Sequence, residues 1–201
     1  MSGRFIVFEG GEGSGKSTQA ALLAARLGAV LTHEPGGTEL GIRIRSVVLD
    51  PFVGAAVDVR TEALLMAAHR AQHVAEVIRP ALSGESDVVC DRFTGSTLAY
   101  QGYGRGLPLD ELGRLCSWAT GGLEPDVVFL LDVPVEVAVT RMKREPDRME
   151  AAGSAFHQRV AEGYRALALG DSGGWRVIDG SGSVDDVEAL VVKALDELGV
   201  Q

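Results

Sequence analysis

This sequence predicts an α/β protein: a five-stranded parallel sheet with helices on both faces. Three observations point there. The apolar runs Phe5–Phe8, Val88–Cys90 and Val127–Leu131 are continuous rather than alternating, as in strands covered on both sides. Segments with helical apolar spacing separate the strands, so strand and helix alternate along the chain. A glycine-rich turn, Gly10-Gly11-Glu12-Gly13-Ser14-Gly15-Lys16-Ser17, follows the first apolar run and leads into the first helical segment. With 201 residues, one domain with a full core is expected over 1–201. No repeat, low-complexity tract or linker divides it.

The elements follow in order. Phe5–Phe8 reads as a buried strand, and Lys16–Leu27 as a helix stopped by Gly28, since glycine takes the left-handed conformation that ends helices. Ala29–Thr32 is a short strand before the loop His33-Glu34-Pro35-Gly36-Gly37-Thr38. Glu39–Leu49 and Thr61–Leu82 have helical spacing, and Asp87–Asp91 is a strand. Pro108–Ala119 starts with proline in a first helical turn. Asp126–Asp132 is a strand, and Pro134 opens the helix Val135–Lys143. The polar stretch Glu145–Gly153 precedes a helix over Ser154–Leu169, a last strand over Trp175–Asp179 and a last helix over Val184–Leu198.

Composition narrows the function. The net charge of −9 argues against nucleic-acid binding, which rests on basic surface. No apolar run approaches a membrane span, and Arg4 and Glu9 leave no room for a signal-peptide core. Cys90 and Cys116 share no metal or redox spacing, which fits reduced thiols and a cytoplasmic location. His69 and His73 are four apart on a helix, but no third ligand accompanies them; they read as surface residues or as neighbours of a base pocket.

The glycine-rich turn fits G-x-x-x-x-G-K-[ST] in its strand–turn–helix context. Its backbone N–H groups form a nest for phosphate oxygens, and the following helix adds its positive end. Gly10, Gly11, Glu12, Gly13, Ser14, Gly15, Lys16, Ser17 and Thr18 are thus expected around ATP, with Lys16 at the β- and γ-phosphates and Ser17 on Mg²⁺. Asp91 ends a strand, where α/β sheets place ligands, and suits Mg²⁺-bound water or acceptor positioning. A GTPase would read guanine through Asn-Lys-x-Asp, and the chain has no asparagine. A motor ATPase stays open, although it usually belongs to a longer chain. A small-molecule kinase, another nucleoside monophosphate kinase and a non-catalytic ATP-binding module remain.

Seven further stretches carry a resemblance. These are Phe8-Glu9-Gly10, Glu34-Pro35-Gly36-Gly37-Thr38, Arg45 before Val47-Val48-Leu49, Arg70-Ala71-Gln72, Asp91-Arg92-Phe93, Ser96-Thr97 with Ala99-Tyr100-Gln101-Gly102, and Asp147-Arg148-Met149-Glu150. In this order, over nearly the whole chain, they resemble bacterial-type thymidylate kinases. The resemblance implies a P-loop nucleoside monophosphate kinase fold with a short lid at about 141–153 and a homodimer. It also implies transfer of the ATP γ-phosphoryl group to dTMP, giving dTDP for deoxythymidine triphosphate synthesis.

It also implies roles. Glu12 would touch the acceptor sugar, although a solvent-facing turn residue is the alternative. Arg92 would lie between the two phosphates, although an Asp91–Arg92 surface pair is the alternative. Glu34, Pro35 and Arg45 would meet the acceptor, with Arg45 clamping its phosphate, although a helical arginine is usually solvated. Arg70, a charge in an apolar helix that needs a partner, would bond the thymine carbonyl. Met66 stands where relatives carry a stacking aromatic, and His33 where they carry arginine. Thr97 and Tyr100 share a face by helical spacing. Tyr100 would crowd out a ribose 2′-hydroxyl, and Thr97 or Gln101 would bond the base or sugar edge; a satisfied core tyrosine explains Tyr100 equally well. Arg141, Lys143, Arg144 and Arg148 cluster in and beside the polar stretch. Either they are a solvated helix end or Arg141, Arg148 and Arg144 close over ATP from the lid.

Overall fold

β1 (Phe5–Glu9) runs through the centre of a five-stranded sheet, flanked by β3 (Val88–Asp91) and β4 (Val127–Asp132). β2 (Val30–His33) and β5 (Trp175–Asp179) form the edges, so the order is β2-β3-β1-β4-β5 with every pairing parallel. The computed structural model describes residues 3–50, 57–141, 147–171 and 173–199. The register sets Phe8 opposite both Asp91 and Phe129, which brings the turn after β1 beside the end of β3.

Alternation along β1 feeds two separate cores. Ile6 and Phe8 pack on Leu23 and Ala24 of α1 (Lys16–Leu27) and on Val187 and Val191 of α9 (Val184–Glu197). Phe5 and Val7 point the other way, onto Val74, Ile78 and Phe93. At roughly 1.5–3 kcal/mol for each fully buried large apolar side chain, both faces of β1 contribute, and its position is set from both sides. The expectation that all strands are covered on both faces holds for β1, β3 and β4. The edge strands depart from it: Leu31 and His33 of β2, and Val177 and Asp179 of β5, are exposed. An edge strand has one neighbour and is only partly roofed by helices.

The helices follow the predicted spans closely, with local causes. α1 ends at Gly28, φ 65°. α2 (Glu39–Leu49) starts at Thr38, whose hydroxyl accepts the Gly41 N–H at 2.9 Å. α3 (Val59–His73) starts at Asp58, which caps the Arg60 N–H. It runs on through a wider, π-type stretch (Val74–Ile78) into α4 (Arg79–Ser83). The sequence shows only the ends of this long rod; the wide middle has no local signature. α5 (Thr94–Thr97) and the π-type stretch Leu98–Gly104 form a further helical segment that the strand and helix pattern did not mark out. α6 (Leu109–Thr120) begins one residue after the predicted start, with Pro108 as its cap. α7 spans Val135–Arg141; the predicted extension to Lys143 lies outside the described residues. α8 (Ser154–Gly170) packs Phe156, Val160 and Tyr164 on Ala99 and Tyr100, forming a third core beside the sheet. Among the described residues no helix is long and apolar enough to cross a membrane.

Candidate functional site

The turn after β1 is shaped by backbone crowding. Gly13 has φ 70°, and a Cβ there would sit 2.4 Å from the Ala138 carbonyl oxygen. Only glycine meets both demands. The turn folds the Lys16 side chain back over itself. Its ammonium donates to the Gly11 carbonyl at 2.6 Å and to Ser14 Oγ at 3.2 Å. Burial, then the nearby Arg92 guanidinium, lowers the Lys16 pKa to about 8. Ser17 Oγ donates to Asp91 Oδ2 at 2.5 Å, so the two residues expected at Mg²⁺ meet directly. Asp91 Oδ1 is buried and has no hydrogen-bond partner among the described residues. A hydroxyl and a carboxylate with one uncommitted oxygen fit a hard cation that keeps most of its waters.

Arg92 is the hub of the site. Its backbone N–H donates to the Phe8 carbonyl at 2.8 Å, locking the end of β3 to β1. Its φ is 74°, a left-handed conformation that costs a non-glycine residue about 1–2 kcal/mol. Its guanidinium donates to Gly10 O (3.1 Å), Ser96 Oγ (3.2 Å), Tyr164 OH (3.1 Å), Tyr100 OH (3.2 Å) and Glu12 Oε1 (2.5 Å). Glu12 therefore faces a cation, not solvent. Burial pushes its carboxyl up, but the charges of Arg92 and Lys16 outweigh burial and hold it at about 2. Tyr100 OH also donates to Glu12 Oε1 at 3.0 Å.

Beneath Arg92 lies a carboxylate absent from the sequence-based candidates. Glu9 is fully buried at the end of β1. It accepts the N–H groups of Phe93 and Ser96 (both 2.9 Å), Ser96 Oγ at 2.6 Å and Tyr164 OH at 3.0 Å. Burial raises its pKa in spite of these donors. The sequence signal was a charge at the end of an otherwise apolar strand.

A cavity of about 400 Å³ opens between α2, α3, the ends of β2 and β3, and the 94–104 segment. Arg70 lies in its wall with all three guanidinium nitrogens engaged. Nε donates to Glu34 at 2.7 Å, one arm to Thr97 Oγ1 and the other to the Phe93 carbonyl, both at 2.9 Å. Glu34 is thus the partner that a charge in an apolar helix requires. Burial raises the Glu34 pKa, but Arg70 and His73 reverse that and leave it at about 2. His73 Nδ1 lies 2.9 Å from Glu34 and its Nε2 lies 2.6 Å from Thr32 Oγ1. Both His69 and His73 are completely buried, so the surface alternative for them is corrected; His69 lines the cavity. Burial lowers the His69 pKa to about 4. Arg45 donates to the Pro35 carbonyl at 2.8 Å, beside the cis Glu34–Pro35 bond, and lines the cavity, while Arg43 pairs with exposed Glu39. Met66, Thr97, Tyr100 and Gln101 line the same space. Thr97 and Tyr100 nevertheless send their polar atoms to different partners, Arg70 and Glu12.

A second cavity, of about 500 Å³, lies on the other side of the glycine-rich turn, bordered by Gly13, Gly15, Thr18 and Arg141. Glu12, Lys16 and Ser17 line both cavities. Arg141 donates to the carbonyls of Gly180 (2.9 Å), Ser181 (3.0 Å) and Gly182 (3.3 Å), holding the loop after β5 against this cavity. Arg148, expected over ATP, is bonded elsewhere. Its guanidinium does not face the glycine-rich turn. It donates to Glu62 Oε2 at 2.6 Å and to the Val48 carbonyl at 2.7 Å. A buried carboxylate is the stronger partner for it here, and neighbouring charges in sequence gave no hint of one so far away. Lys143 and Arg144 lie outside the described residues. Asp132 forms an ion pair with Arg165, in keeping with a structural role.

Residues 8–191 match the family model described as Thymidylate kinase. The chain is 48% identical to the thymidylate kinase of Pelotomaculum thermopropionicum over 206 residues, covering 98% of this chain and 95% of that one. It is 46% identical to that of Bifidobacterium longum over 205 residues, covering 98% and 100%. In structure it resembles the thymidylate kinase of Ehrlichia chaffeensis, with a TM-score of 0.81, 32% identity, and coverage of 97% of this chain and 100% of that one.

Proposed function

Since the chain belongs to the thymidylate kinase family and phosphorylates dTMP to dTDP with ATP, we propose a division of labour between its two cavities. The cavity flanked by Thr18 and Arg141 takes ATP, and the cavity walled by Arg45, Arg70 and Gln101 takes dTMP. The observation that carries this reading is the shared wall: Glu12, Lys16 and Ser17 border both spaces, so two phosphate tails can meet there in line.

The acceptor phosphate oxygen is already anionic, so the reaction needs no strong base and no covalent enzyme intermediate. The residues supply placement and charge. Lys16 and the backbone N–H groups of the turn hold the triphosphate. Arg92 lies where charge gathers on the transferring group, and Glu12 orients Arg92 and reaches toward the acceptor sugar. Arg45, held by the Pro35 carbonyl, clamps the acceptor phosphate. Arg70, held by Glu34, meets a base carbonyl together with Thr97; Met66 lies against the base and Tyr100 against the sugar. Mg²⁺ would be held by Ser17 and Asp91 and would screen the triphosphate charge. Arg141 keeps the 180–182 loop against the nucleotide. Arg148 bonds Glu62 behind the acceptor cavity, between the lining residues Asp147 and Met149, and Arg144 stays a lid candidate.

We read 1–201 as one kinase domain with a short lid at about 141–153. Exposed Ile42 and Leu64, on the adjacent helices α2 and α3, suit burial against a second copy in a homodimer, which sedimentation would reveal. The free, buried Cys90 and Cys116 suit the reducing cytoplasm.

The test is ADP release with each nucleoside monophosphate as acceptor. Release that depends on dTMP supports the assignment; release that needs no acceptor, or ATP binding without turnover, rejects it. In the same assay Arg45→Ala should raise the KM for dTMP by about 30- to 100-fold, the worth of one charged hydrogen-bond pair. The KM for ATP should stay within about twofold. Equal effects on both would remove Arg45 from the acceptor phosphate.

A further inference from the structure

Glu62 lies in the first turn of α3, 1% exposed, and no motif marks it. Donors from two other parts of the chain, one holding Gln101 and Arg105 and the other Arg148, converge on its carboxylate. Gln101 Nε2 donates to Oε1 at 2.9 Å, Arg148 to Oε2 at 2.6 Å, and Arg105 to both oxygens at 3.3 Å. Burial raises its pKa, but the bonds from Gln101 and Arg148 and the charge of Arg105 win, so it lies below its ordinary value. Glu62 is an ionised carboxylate between two guanidinium groups, and an ionised carboxylate only accepts.

That has a consequence for Gln101, which lines the acceptor cavity. A side-chain amide has a donor end and an acceptor end of nearly equal size. Facing Glu62, only the NH₂ end is tolerated, because the reverse would set a carbonyl against a buried anion. The carbonyl oxygen is left for the cavity. We infer that Glu62 is a specificity-positioning residue: it fixes the amide polarity of Gln101, so that the acceptor pocket offers a hydrogen-bond acceptor to the nucleobase edge and selects a ring bearing an N–H there. Thymine and uracil carry a hydrogen on N3, whereas cytosine presents a lone pair. This rests on the reading that the cavity holds the nucleobase. Arg148, the nearer guanidinium at 2.6 Å, acts through the same carboxylate by keeping it ionised.

dUMP and dCMP lack the methyl group and differ only on the 3,4 edge; Arg70 is the same in every variant, so the change in their preference between variants isolates the effect. The wild type should bind dUMP far more tightly than dCMP. Glu62→Gln can donate as well as accept, so Gln101 can turn over. The dUMP/dCMP preference should then narrow by at least about tenfold. ATP affinity should be unchanged. Arg105→Gln loosens the same network but leaves the carboxylate, and should keep the wild-type preference. An unaltered preference in folded Glu62→Gln, or an equal narrowing in Arg105→Gln, overturns the proposal. If Glu62→Gln does not fold, the wild type decides. Labelled dUMP should show a through-hydrogen-bond coupling from its imino nitrogen to the side-chain carbonyl carbon of Gln101, and absence of that coupling in the bound complex overturns the proposal. Failure of the wild type to bind either monophosphate would instead defeat the nucleobase reading itself.

Discussion

Lys16→Ala should abolish phosphoryl transfer, lowering kcat by about 10³-fold or more, the loss expected when a preorganised cation is withdrawn from transferring charge. The fold should survive. Among the described residues the ammonium bonds Gly11 O and Ser14 Oγ alone, within the turn itself, and the cores lie elsewhere. Near-normal turnover in a folded variant would remove Lys16 from the reaction. The wild type offers a second reading of the same residue. Its pKa is lowered to about 8, so the free site loses the ammonium charge at a pH where an ordinary lysine keeps it. A bound triphosphate favours the charged form and raises that pKa again. ATP binding should therefore take up a proton as pH climbs from about 8 toward the ordinary value of 10.5. Calorimetry in two buffers of different ionisation enthalpy measures this uptake, and Lys16→Ala should show none of it.

Arg92→Ala should have a comparable effect on rate, about 10³-fold, and a larger one on stability. It removes a cation bonded to five groups and leaves Glu12 in place. Breaking a buried ion pair from one side costs about 3–5 kcal/mol. Glu12 is partly open to the cavity, so the lower end of that range or less applies. The Glu12 carboxyl, now at about 2, should rise once burial is no longer opposed by Arg92. Adding Glu12→Gln should restore part of the thermal stability and none of the rate. Arg92→Lys should not substitute, because a single ammonium cannot span Gly10, Tyr164, Tyr100 and Glu12 at once. Wild-type melting together with normal turnover in Arg92→Ala would contradict both halves of this expectation.

How much of this was legible in the chain follows the reach of each interaction. The turn at Gly10–Ser17 was legible because its constraints are local: positive φ, close backbone approach, and a helix start. The strands β1, β3 and β4 were legible because burial on both faces demands continuous apolar residues. The edge strands were half legible, since roofing depends on where the helices finally lie. Arg70 announced its need for a partner, but only the fold names Glu34. Glu9, Glu62 and Tyr164, which carry no role in the sequence reading, act through several contacts at once, made 39 to 155 positions away along the chain. Arg148 shows the same limit from the other side: its neighbours in sequence are charged, but its partner is a carboxylate on α3. The π-type stretches leave no mark because nothing in side-chain spacing distinguishes a slightly widened turn.

The wall common to the two cavities has one last consequence. Glu12, Lys16 and Ser17 belong to both pockets at once, so neither guest arrives at a surface indifferent to the other. Whatever factor a loaded donor imposes on the hold over the acceptor, the acceptor must return in full to the donor. Ground-state affinities for the pair are bound by thermodynamic reciprocity, and a substitution in that wall alters a single shared coupling rather than two independent ones.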